Sequence, residues 1–70
     1  MIEFELKENS EYIELIKLLK ATNVASSGAE AKKMVEDGIV KVNEHSESRK
    51  RAKLRSGDVI QVLDQTITVK

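Results

Sequence analysis

Seventy residues with 12 basic and 12 acidic side chains, no cysteine and two aromatic rings narrow the possibilities. A chain this short buries only about 60% of its unfolded surface, so one small core is expected, with no room for a deep catalytic pocket beside it. The missing cysteines exclude a disulfide or thiolate–zinc staple, and no apolar run approaches the length of a membrane span.

Ile2, Phe4 and Leu6 alternate with Glu3, Glu5 and Lys7, the period of a half-buried strand. Alternating charges at the start make a signal peptide unexpected and point to a cytoplasmic protein. Asn9 and Ser10 are candidate N-caps for a helix over residues 10–21, with Glu11 and Glu14 in its first turn, where the helix dipole favours acids. Tyr12, Ile16 and Leu19 would share the apolar face of that helix, widened by Leu15, and Thr22-Asn23 would end it.

Ser27 and Glu30 have the spacing of a capping box, which predicts a second helix over residues 28–37. Ala31, Met34 and Val35 form its buried stripe, and Gly38 stands where a left-handed residue ends a helix. Glu36 and Asp37 have the wrong sign for its last turn. A strand is expected over 39–43, a turn region over 44–48, and an extended segment over 49–54 anchored by Leu54. Gly57-Asp58 then turns the chain into strands over 59–63 and 66–69, joined at Asp64-Gln65.

The ordered set Ser27, Ala31, Met34-Val35, Gly38, Val40, Val42-Asn43 and Gly57-Asp58-Val59-Ile60 resembles, without a gap, the RNA-binding domain of the ribosomal protein S-four type. The resemblance is to its small free-standing bacterial members. Two positions depart from that pattern: Gly28 stands where the family has arginine, and Glu44 where it has glycine. The expected fold is α+β: two packed helices followed by a small, mostly antiparallel sheet, with an added N-terminal strand. A single RNA-binding domain over 1–70 is expected, with its motif core over 10–60. The resemblance implies a structured RNA of the ribosomal or transfer class, with the ribosome as one setting.

Net charge is zero, but the charges are unevenly spread. Residues 1–14 carry five acids and one base, whereas 15–55 carry ten bases and five acids. Arg49, Lys50, Arg51, Lys53 and Arg55 occur with no acid among them. Such a run can serve phosphates, or it can be a solvated edge strand protected against aggregation. Arg49, Lys50, Arg51 and Lys53 are the expected RNA contacts. Lys32 and Lys33 read on their own as a solvated helix face, and the resemblance raises Lys32. Ser27 and Gly28 could admit a phosphate to the helix N-terminus.

His45, alone in a polar turn, reads as a surface residue, and no triad, carboxylate pair or glycine-rich phosphate loop is present. No enzyme activity, cofactor, metal or membrane partner is expected, and the chain is expected to be a monomer. Phe4 and Tyr12 read as core residues, so recognition would depend on shape and phosphate more than on stacking. The main alternative is a protein-interaction module that docks its acidic N-terminal segment on a basic partner. A helix-turn-helix DNA binder is disfavoured, because Glu30, Glu36 and Asp37 lie on the would-be recognition helix.

Overall fold

A computed structural model describes all 70 residues. In chain order the elements are β1 (Ile2–Phe4), β2 (Ile13–Glu14), α1 (Leu15–Ala21), α2 (Gly28–Glu36), β3 (Val40–Val42), β4 (His45–Ser46), β5 (Lys53–Leu54), β6 (Val59–Val62) and β7 (Gln65–Val69). The expected α+β architecture is present. A five-stranded sheet in the order β1-β7-β6-β3-β4 is antiparallel except for the parallel β1–β7 pair. A separate two-stranded ladder joins β2 to β5, with Ile13 opposite Leu54 and Glu14 opposite Lys53.

The helices cover one face of the large sheet. Leu15, Leu18 and Leu19 of α1, at the i, i+3, i+4 spacing, are fully buried, as is Ala31 of α2. They meet Val40, Ile60, Val62, Ile67 and Val69 from the sheet in one core cluster. No polar side chain is buried, so the fold rests on apolar packing and the charged faces are free to serve other ends. The opposite sheet face carries Glu3, Lys41 and Gln61, which are exposed. Neither helix is long and apolar enough to cross a membrane.

The first helix is shorter than its sequence suggests. Residues 10–14 are not helical: Asn9 and Ser10 cap nothing, Glu11 is outside the helix, and Glu14 is the N-cap without a side-chain cap bond. The reason is tertiary. The Leu15 N–H donates to the Ala52 carbonyl at 2.9 Å and the Ile16 N–H to the Lys50 carbonyl at 3.3 Å. These bonds satisfy first-turn donors that a capping side chain would otherwise take. Asn23 ends the helix in the left-handed conformation, at φ +62°.

The second helix follows its signals closely. The Ser27 hydroxyl accepts from the Glu30 N–H at 3.1 Å. The reciprocal bond falls one residue earlier than in the standard box: the Glu30 carboxylate accepts from the Ser26 N–H at 3.2 Å and hydroxyl at 2.8 Å. At the other end Gly38, at φ +73°, donates to the Val35 carbonyl and Ile39 to the Met34 carbonyl, the paired bonds of a Schellman motif.

The sheet turns bring two corrections. Residues 44–48 are not all turn: His45 and Ser46 form β4, paired with Val42 and Lys41. The last hairpin turns at Leu63-Asp64, not Asp64-Gln65, because Gln65 pairs with Val62. Leu63 is therefore 72% exposed, at φ +55°, and contributes nothing to the core. The β3–β4 hairpin places Asn43 at φ +51° and Glu44 at φ +72°, the paired left-handed residues of a type I′ turn.

Glu44 carries a Cβ where glycine has no penalty. Glu44→Gly should therefore raise stability by about 0.5–1 kcal/mol, less the greater entropy of glycine in the unfolded chain. Urea denaturation of the two proteins measures this, and a loss of stability would overturn the reading of the turn.

Candidate nucleic-acid interface

The basic segment lies across the N-terminus of α1. Its Lys50 and Ala52 carbonyls hold that helix end, and Lys53-Leu54 continue as β5 against β2. Ala52 and Leu54 point into the core, at 5% and 1% exposure, so alternate residues are fixed inward and the bases project outward. The segment is not extended throughout, since the chain turns at Lys50-Arg51 before β5. Arg55 closes it, its N–H donating to the Asp58 carboxylate at 2.8 Å. The other Asp58 oxygen accepts from the Asn43 side chain at 3.1 Å, while the Asn43 carbonyl oxygen accepts from the Val59 N–H at 2.9 Å.

The five bases are not equivalent. Arg49 is clamped by Glu47 through two bonds, Nε to Oε2 at 3.1 Å and a terminal nitrogen to Oε1 at 3.2 Å. Lys50 pairs with Glu36 at 3.3 Å, which ties the segment to the C-terminal end of α2. Arg51, Lys53 and Arg55 pair with no carboxylate. Glu36 and Asp37, unexplained as helix residues, thus have partners: Asp37 forms an ion pair with Lys33 at 3.6 Å.

Of the remaining candidates, Lys32 is exposed and unpaired, and Lys33 is exposed but occupied by Asp37. Ser27 and Gly28 lie at the opposite end of α2 from Glu36, roughly 12 Å away at 1.5 Å per residue. The Glu30 carboxylate already sits at that helix end, and it opposes an incoming phosphate. Gly28 has no positive φ, and a Cβ there would meet only the Lys20 side chain at 3.9 Å. Glycine is therefore not required at position 28 by sterics. His45 is exposed in β4, apart from any cluster. No group of three or more His, Cys, Asp or Glu could hold a metal.

Sequence reasoning misplaced Tyr12. It is not on a helical stripe but precedes β2, 40% exposed, with the Lys53 ammonium 5.0 Å from its ring centroid. The β2–β5 pairing that brings these two together is a long-range contact with no local signature.

A family model described as the S4 domain matches residues 4–70. YbcJ of Escherichia coli, whose name assigns it RNA binding provisionally, is 36% identical over 58 residues, covering 83% of this chain and 83% of that protein. YbcJ of Shigella flexneri, named as uncharacterized, matches at the same identity over the same share. The solution structure of YbcJ from E. coli, described as revealing an ALFAL motif involved in RNA binding, superposes with a TM-score of 0.76 at 35% identity. That match covers 99% of this chain and 86% of the other.

The Arg49 guanidinium holds the Glu47 carboxyl below the ordinary glutamate range, helped by the Arg49 N–H and opposed by partial burial. A depressed carboxyl pKa stabilises the fold above the ordinary value and ceases to as pH falls through the depressed one. An NMR titration of the Glu47 side chain should thus give a midpoint below that of an exposed glutamate. In Arg49→Ala it should return upward. An unchanged midpoint in the variant would show that Arg49 is not the cause.

Proposed function

The chain belongs to the S4 domain family, and on that premise we propose that it is a binding module, not a catalyst, for structured RNA of the ribosomal or transfer class. The observation that carries this reading is the anchored segment 49–55, on which the side chains of Arg51, Lys53 and Arg55 form no ion pair. Unpaired like charges held close together repel one another, and a phosphate backbone relieves that repulsion. The RNA-binding name of the relative and the description of its solution structure support the same reading.

In this proposal Arg49, Lys50, Arg51 and Lys53 contact phosphates, joined by Arg55, with Lys32 and Lys33 at the margin. Lys50 exchanges the exposed Glu36 carboxylate for phosphate oxygens, which costs little because such surface pairs contribute about 0–1 kcal/mol, whereas Arg49, held by two bonds to the half-buried Glu47, reaches a phosphate with its clamp kept. A fixed cationic ridge suits the regular backbone of A-form RNA, whose wide minor groove is recognised by shape and phosphate. Duplex DNA is the poorer ligand for α2, because Glu36 is exposed on it and Lys33 is occupied by Asp37. The proposed setting is the cytoplasm, with the protein acting as a monomer and the ribosome as one place of action. Without a second domain, contacts from a larger assembly would be needed for tight binding at physiological salt.

Filter binding of folded RNA, duplex DNA and single-stranded RNA across a salt series tests the proposal. If roughly three to five phosphates are neutralised, log K for folded RNA falls with log salt at a slope between about −2 and −4.5. The combined Arg49→Ala, Lys50→Ala, Arg51→Ala, Lys53→Ala variant should lose binding while its circular dichroism stays native. Undiminished, equally salt-sensitive binding by that variant would remove the segment as the site.

A further inference from the structure

Tyr12 lines an open groove of about 740 Å³ together with the apolar Phe4, Leu6 and Ile13. Its size falls within the range of about 300–1,000 Å³ of small-molecule sites. Its polar lining is Lys7, Asn9, Ser10, Glu11, Glu14 and Lys17. Lys53, which belongs to the basic segment, lies over the Tyr12 ring at 5.0 Å from its centroid. The groove is thus continuous with the proposed phosphate-binding ridge through a single side chain.

We propose that this groove takes one unpaired nucleobase of the bound RNA, stacked against Tyr12, while the flanking phosphates rest on Lys53 and Arg51. The inference rests on the RNA-binding reading and narrows its ligand: a folded RNA with an extruded nucleotide, not a fully paired stem. Three features fit a base better than a phosphate or an apolar side chain. Tyr12 is 40% exposed and lines the groove, so its ring is within reach of a base, with the Lys53 ammonium over it released to a phosphate. Glu11 and Glu14 in the lining balance Lys7 and Lys17, so the groove has no surplus positive charge for a phosphate, while the Glu11 carboxylate can accept from the amino group of a base. Asn9 and Ser10 supply donors and acceptors that an apolar side chain would leave unused. The cation at the ring marks where the backbone turns from ridge to groove.

The test uses two RNA hairpins of the same stem, one fully paired and one with a single bulged 2-aminopurine. The intact protein should bind the bulged hairpin about tenfold or more tighter, within the range measured for base–aromatic stacking, and quench the probe fluorescence. Tyr12→Ala, and Tyr12→Leu, which keeps apolar bulk without a flat ring, should bind both hairpins alike. Their affinity and salt slope for the paired stem should match the parent, and Tyr12→Trp should keep the preference and the quench. Equal binding of the two hairpins by the parent, or a preference that survives Tyr12→Leu, overturns the groove assignment alone. Failure of the parent to bind either hairpin overturns it together with the RNA-binding reading. Capture of a protein segment by the groove, seen as Tyr12-dependent binding that survives ribonuclease, also overturns it.

Discussion

The N-terminus of α1 has no side-chain cap, and the rest of the structure depends on what replaces one. The carbonyls of Lys50 and Ala52 accept from Ile16 and Leu15. A seven-residue helix is too short to persist alone, so its first turn must be held by the remainder of the fold. The segment that holds it is the one that carries the bases. Anchoring of the helix and display of the cations are therefore one structural event: Ala52 and Leu54 enter the core, and Arg51 and Lys53 are turned outward by the same alternation.

Electrostatics refine that display. A molecule with zero net charge avoids the indiscriminate attraction of a strongly basic protein, and here the acids are placed among the bases as well as away from them. Glu47 fixes Arg49, Glu36 holds Lys50, and Asp37 occupies Lys33. The side chains of Arg51, Lys53 and Arg55 are left without an ion pair. The two clamped bases are oriented by their carboxylates, Arg49 through two parallel bonds and Lys50 through one ion pair. Glu36 thus acts on the ridge and Asp37 on Lys33 of its own helix, which gives each of these ill-placed helix-terminal acids a partner.

Much of this fold was legible because its signals are local. Ser27, Glu30 and Gly38 mark both ends of α2 through bonds within a few residues, and the alternation at Ile2–Leu6 and Val40–Val42 names the buried sheet face. The start of α1 was not legible, because the groups that end the helix there come from residues 50 and 52. Tyr12 was misassigned for the same reason: its neighbour Lys53 is brought to it by a strand pairing with no sequence signature. Leu63 misled because its apolar side chain suggests a core residue, while the pairing of Val62 with Gln65 requires it in the turn. The basic run itself stood out in the sequence, but its division into clamped and free cations depends on acids at 36 and 47 that only the fold brings near.

Both ends of the basic segment are fixed as well as its middle. Glu47 anchors Arg49 at the start through a backbone bond as well as two side-chain bonds. Asp58 anchors Arg55 at the finish, and it also reaches across to Asn43 in the β3–β4 turn. A cationic loop free to move would wrap around many polyanions and lose its ordering entropy each time. A segment held at three points has already lost that entropy in folding, so it meets a ligand as a shaped ridge with fixed charge spacing. On the proposed reading, such a ridge would favour a folded RNA, whose phosphates recur at fixed positions, over a flexible single strand that must first order itself. Asn43 and Asp58 hold the far end of the segment to the β3–β4 turn and β6.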